Sequence, residues 1–155
     1  MKSIEESNYL NRLLENYSRE LAPPQNDWPP DVRDALIFLN THLFETTCTV
    51  KKMRIQCHLK QRNFSTCFRN YVGVPPVGYL IHHRVEAAKM LLLDERLNES
   101  YISEIGFAVG YEKPSAFTML FIKNEQLSPG KWKWKHRRNE QAEMEVKSSL
   151  NGLKM

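Results

Sequence analysis

Residues 102–132 read I-S-E-I-G-F-A-V-G-Y-E-K-P-S-A-F-T-M-L-F-I-K-N-E-Q-L-S-P-G-K-W. Ile102, Ile105 and Val109 recur at helical spacing. Gly110 can take the positive φ that ends a helix. Lys113-Pro114 starts a second helix, because proline fits the first helical turn. Phe117 and Phe121 anchor one face of that helix, and Ser128-Pro129 caps and starts a third. A short apolar helix, a glycine-containing turn and a second helix with two inward aromatics form the pattern of a helix-turn-helix.

Working outward, the pattern repeats upstream. Thr49 to Tyr71 reads as another helix-turn-helix, with Val50, Met53 and Ile55 in its first helix. Lys60 to Tyr71 is expected as its second, with Phe64, Phe68 and Tyr71 inward and Gly73 ending it. Gln61, Arg62, Asn63, Ser65, Thr66 and Arg69 then fall on the outer side. These residue types hydrogen-bond base edges and phosphates. Between the two units, Pro75-Pro76 opens a long helix reaching about Leu93. Ile81, Val85, Ala88 and Leu92 form its apolar stripe, widened by Leu80, Ala87 and Leu91. His82, His83, Arg84 and Lys89 are expected as exposed polar groups along it. Asn98 to Ser100 reads as a loop and cap. Asp31 is expected to cap a first helix whose inner face carries Val32, Leu36, Leu39 and Leu43.

The spacing I-x-x-I-G-x-x-V-G-Y-x-x-P-S-x-F-x-x-x-F-x-K, followed by Ser128-Pro129, resembles the signature of the AraC/XylS family of bacterial transcription regulators. The resemblance runs from about Asp31 to Arg138. It implies an all-α fold of about seven helices, with two helix-turn-helix subdomains joined by a long linker helix. It also implies regulation of transcription by sequence-specific binding of double-stranded DNA, with helices 60–71 and 114–124 in the major groove. Arg62, Ser65 and Thr66 match the family's base-contacting positions. Further contacts are implied near Pro114, Ser115, Ala116 and Met119, with Lys113 and Lys123 available to phosphates. Trp132 matches the aromatic that plugs the family's core.

Some residues depart from the family pattern. Arg54 stands where a small residue is usual, Glu125 where an apolar one is, and Gln126 where glycine is. Ala116, Met119, Leu120 and Ile122 give the second recognition helix an apolar outer face where relatives carry polar or basic groups. The alternative reading is therefore a protein-interaction module, whose second helix-turn-helix docks RNA polymerase or another subunit.

Charge follows the same division. Residues 31–138 carry a net +7, whereas residues 1–30 carry −2 and 139–155 carry −1. Positive charge thus collects in the unit that would meet phosphates. Residues 131–138 alone hold Lys131, Lys133, Lys135, Arg137 and Arg138. Residues 1–30 read as an extension and Pro-rich linker, in which Ile4, Tyr9, Leu13, Leu14 and Tyr17 can line a frayed or docking helix. Residues 139–155 are expected to form a disordered tail. No apolar run approaches a membrane span, and the expectation is a cytoplasmic protein. Cys48, Cys57 and Cys67 read as free thiols, and with His42, His58, His82 and His83 they fit no common zinc spacing. No enzyme site, metal or cofactor is expected.

Overall fold

A computed structural model describes residues 3–98 and 100–153. Among them are eight α-helices, one short 3-10 helix at Glu95–Leu97 and no strand. The helices are α1 (Ile4–Arg19), α2 (Pro30–His42), α3 (Val50–Gln56), α4 (Phe64–Val72), α5 (Pro76–Leu93), α6 (Ile102–Ala108), α7 (Pro114–Glu125) and α8 (Pro129–Gly152). None of them is long and apolar enough to cross a membrane. Prolines open α2, α5, α7 and α8. The side chains of Ser3, Thr49 and Ser128 accept from the backbone N–H groups of Glu6, Lys52 and Lys131. Asp31 is not the cap of α2. Pro29 takes that place, and Asp31 lies in the first turn, where its carboxylate favours the helix dipole. Of the expected Asn98–Ser100 loop, Glu99 lies outside the described residues.

Two apolar cores result, and α5 is shared between them. The first gathers Val32, Leu36, Leu39, Met53, Phe64 and Phe68 with Tyr79 and Leu80 from the N-terminal half of α5. The second gathers Ile105, Val109, Phe117, Phe121 and Trp132 with Val85, Ala88, Leu91 and Leu92 from its C-terminal half. α1 docks on α5 and the 3-10 helix. It buries Leu10 and Leu14 in the second core, while Ile4 stays exposed. The Tyr9 hydroxyl donates to Asp94 Oδ2 at 2.7 Å, and the Tyr17 hydroxyl shares a hydrogen bond with His83 Nδ1 at 2.8 Å.

The expected disordered tail is helical through Gly152, with residues 139–153 exposed. Trp132 roots α8 in the core, and Glu140 to Glu145 are helix formers without a glycine or proline to stop them.

The polar groups of α5 are mostly turned inward, against expectation. His82 alone of the four is exposed, and His83 and Lys89 are half-buried. Lys89 Nζ reaches Glu86 at 2.9 Å and Glu125 at 3.2 Å, so Glu125 ties α7 to α5 where an apolar residue would have packed. Arg84 is only 6% exposed. Its Nε donates to the Leu43 carbonyl at 2.8 Å, Nη1 to Gly110 at 3.3 Å, and Nη2 to Glu45 at 3.0 Å and Cys48 at 3.1 Å. Its guanidinium also lies over the Tyr111 ring, 5.3 Å from the centroid. The acceptors come from both subdomains, so one side chain on the shared helix holds a turn of each.

Gly110 has φ +110, and a Cβ there would sit 2.7 Å from Arg84 Cζ. Gly73 has φ +98 with open space around it. Gln126 keeps the left-handed turn at φ 66 despite its side chain, whose Nε2 donates to the Lys123 carbonyl.

Gly73→Ala should therefore cost backbone strain alone, about 1–2 kcal/mol. Gly110→Ala should cost more, at least about 3 kcal/mol, because it also displaces a buried, fully committed guanidinium. Urea unfolding of both variants measures the difference; equal losses would mean that Arg84 yields freely.

A second expectation concerns pH. Burial, with His82 beside it, pushes the His83 imidazole down to about 4 from its ordinary 6.5, against the opposing pull of Glu86. Folded His83 stays neutral where the unfolded chain binds a proton, so stability should fall as pH drops from about 6.5 toward about 4. His83→Gln should flatten that part of the decline in urea midpoints; an unchanged pH profile would show that His83 charges freely in the fold.

Candidate nucleic-acid interface

The first recognition helix starts at Phe64, not Lys60. Leu59 is buried, and residues 60–63 form an exposed turn instead of a helical one. Phe64 and Phe68, both fully buried with centroids 6.1 Å apart, seat α4. Tyr71, expected inward, is exposed and lies against Trp28 at 5.9 Å between centroids. Gln61, Arg62 and Asn63 therefore project from the turn ahead of the helix. Ser65, Thr66 and Arg69 project from its exposed face. Ser65, Thr66 and Arg69 share one exposed face of α4, turned away from the two phenylalanines, and Arg62 is exposed in the turn ahead of it.

Arg54 occupies the back of this turn. It is half-buried, its guanidinium carbon 5.9 Å from the Phe64 ring centroid, and Nη2 donates to the Gln61 carbonyl. Its head reaches outward, and α3 packs mainly on α2 without the close approach that α6 makes to α7. A cleft of about 610 Å³ opens beside it, lined by Lys51, Arg54, Ile55, His58, Leu59 and Lys60. Lys51 and Lys60 join Arg54 as cations on this cleft, and neither lysine's place there is legible in the helical pattern.

The second recognition helix, α7, runs Pro114–Glu125, close to the expected 114–124. Phe117 and Phe121 are fully buried and seat it, with Phe121 edge-on to Trp132 at 5.9 Å. Lys113, Ser115, Met119, Ile122 and Lys123 are exposed, and Ala116 is half-buried. Leu120 is corrected: it is half-buried and packs against the second core. The apolar outer strip thus reduces to Met119, 67% exposed, and Ile122, 42% exposed, beside Ser115 and Lys123.

The basic run on α8 divides. Lys131, Lys135 and Arg138 are exposed. Lys133 and Arg137 reach back to the carbonyls of Asn98 and Leu92, at 3.5 and 3.4 Å. Trp134 is exposed with Arg138 over its ring at 4.9 Å, whereas Trp132 is buried. The three cysteines are free, and burial pushes the thiols of Cys48 and Cys57 up from their ordinary range.

Comparison with known proteins agrees with this geometry. A family described as a helix-turn-helix domain matches residues 56–135, just over half of the chain. The HTH-type transcriptional regulator AlkR of Acinetobacter baylyi is 32% identical over 100 residues, which is 64% of this chain and 31% of that protein. The lactose operon transcription activator of Staphylococcus xylosus is 26% identical over 103 residues, 66% of this chain and 36% of that protein. The chain thus spans about a third of the length of these relatives. Among solved structures, the C-terminal domain of AraT, a response regulator from Geobacillus stearothermophilus, matches with a TM-score of 0.62 at 24% identity. That match covers 71% of this chain and 88% of the other, and is a likeness of fold. The C-terminal domain of the response regulator yesN from Fusobacterium nucleatum matches with a TM-score of 0.57 at 26% identity, over 64% and 93% of the two chains. With both units, the shared helix and the match across them in agreement, the chain belongs to the AraC-type helix-turn-helix family.

Proposed function

We propose that this chain binds double-stranded DNA sequence-specifically and so regulates transcription, with the turn and helix at residues 61–69 as the principal reader of bases. The observation that carries the reading is the exposed face of Ser65, Thr66 and Arg69 on α4, fixed from behind by two buried phenylalanines, with Arg62 exposed in the turn before it. Donors held on a rigid element in this way can discriminate base edges. Lys113 and Lys123, with the exposed α8 cations, supply phosphate contacts that orient the complex. α5, at 18 residues, is about 27 Å long, less than the roughly 34 Å of one DNA turn. The DNA is therefore expected to bend when both units engage successive major-groove segments.

α7 is the weaker reader. Ser115 offers a hydrogen bond, but Met119 and Ile122 can recognise little beyond a thymine methyl. Their exposure also supports a second role for this face, contact with RNA polymerase or another protein subunit.

Arg62→Ala should weaken binding to the preferred site by about 1–3 kcal/mol and binding to random DNA much less. Fluorescence anisotropy on both DNAs checks this; equal losses would make Arg62 a phosphate contact.

A single-base substitution scan across the bound site should give one sharply defined half and one tolerant half. Similar losses per mismatch in both halves would show that α7 reads bases as well as α4 does. Met119→Lys should leave affinity for DNA intact while lowering transcriptional output if the α7 face meets a protein; unchanged output would remove that second role.

A further inference from the structure

We infer that Arg54 is a positioning residue for sequence recognition: it holds the Gln61–Asn63 turn in its reading geometry and does not itself contact DNA. The inference rests on the proposal that this turn reads bases, and it adds the group on which that reading depends.

The two units differ at one matched place. In the second, Gly106 precedes Phe117 across the helix crossing, and a Cβ there would lie 2.7 Å from the Phe117 ring. α6 and α7 are thereby locked face to face, and Pro114 begins the recognition helix directly. In the first, Arg54 stands at the matching position before Phe64, and the helices cannot close in the same way. The turn ahead of α4 needs another support. Asn63, at its N-cap, makes no side-chain capping bond, in contrast to Thr49 ahead of α3.

The Arg54 side chain supplies that support in two ways. Its guanidinium lies over the Phe64 ring at 5.9 Å, and Nη2 donates to the Gln61 carbonyl. The backbone bond from Leu59 N to the Arg54 carbonyl, 2.8 Å, has its match in Tyr111 N to the Gly106 carbonyl, 2.9 Å, so the side-chain contacts are what the first unit adds. One side chain therefore links α3, the exposed turn and the first aromatic of α4. A planar guanidinium can stack on a ring and donate at its edge together, which an ammonium cannot do. The Gln61 carbonyl is one residue before Arg62, so a shift of this anchor moves the Arg62 side chain directly. Bidentate recognition of a base depends on such placement.

The test uses the full chain in five forms: wild type, Arg54→Met, Arg54→Lys, Arg62→Ala and the Arg54→Met/Arg62→Ala double variant. Each is assayed for affinity at the preferred site, at its single-base substitutions and on random DNA, over a range of salt. Circular dichroism melting sets a temperature at which every variant is folded. Arg54→Met is expected to lose at least about fivefold at the preferred site, confined to the bases that Arg62→Ala also affects. Combining the two should add little further loss. Affinity for random DNA and the salt slope should stay at wild-type values, and Arg54→Lys should restore discrimination only in part.

A salt slope reduced by about one in Arg54→Met would make Arg54 a phosphate contact and overturn the inference. So would a uniform loss on all DNAs, or losses that multiply in the double variant. If Arg54→Met alters base preference while Arg62→Ala does not, the assignment of Arg62 fails and the positioning role stands, acting through Gln61 or Asn63. If only Arg62→Ala alters it, the base-reading assignment stands and the role of Arg54 falls.

Discussion

The Arg84 guanidinium is the interaction on which the arrangement of the two subdomains depends. A buried cation is costly unless its donors are satisfied. Here the acceptors are backbone carbonyls of Leu43, Glu45 and Cys48 on one side and Gly110 on the other. Those carbonyls lie in turns outside the helices; that of Glu45 also accepts from the Cys48 N–H, and the guanidinium supplies a donor to each of the others. Charge and turns thus solve one another's problem. A lysine could not serve, because a point ammonium cannot fan out to carbonyls on two sides while lying over the Tyr111 ring. Because Arg84 is on α5, the helix that spaces the units also locks a turn of each.

The two units are variations on one plan. In each, a pair of phenylalanines four residues apart seats the recognition helix: Phe64 with Phe68, and Phe117 with Phe121. Each also has two left-handed residues, one in the turn between helices and one after the recognition helix. The first unit places His58 and Gly73 there, and the second Gly110 and Gln126. The glycine needed beside Arg84 is at the turn of the second unit, where a Cβ would collide with the guanidinium. The difference that bears on recognition is Arg54 against Gly106. A close helix crossing fixes α7, whereas a side-chain strut braces the approach to α4. The braced unit carries the polar face, and the tightly crossed unit carries the more apolar one.

α1 and the Pro-rich segment after it extend this core. α1 covers α5 through Leu10, Leu14 and two tyrosine hydrogen bonds, and Trp28 rests against Tyr71 at the end of α4. The half-buried His83 packs on Tyr79 of its own helix and meets the Tyr17 hydroxyl through the docking of α1. Its depressed proton affinity couples that contact to pH.

Periodicity and punctuation in the chain were enough to place α2, α3, α5, α6 and α7, the apolar inward residues that seat them, and the two-unit plan. Gly73, Gly110 and the helix-opening prolines act locally, through φ and the missing N–H, so their meaning needs no distant partner. The outward set on α4 was legible for the same reason: Phe64 and Phe68 fix which face is inside. Tertiary structure decided where long polar side chains went. Arg84, Lys89 and Arg54 look like solvated cations in a helical pattern, but each has a flexible stem that reaches carbonyls or carboxylates brought close only by folding. It also decided that α4 begins after Asn63, because residues 60–63 are held as a turn by Arg54 on another helix, and that α1 docks, because its apolar face finds a surface only once α5 is packed. Local pattern encodes the backbone's choices; the partners of buried polar groups lie far apart in the chain and are chosen by proximity in space.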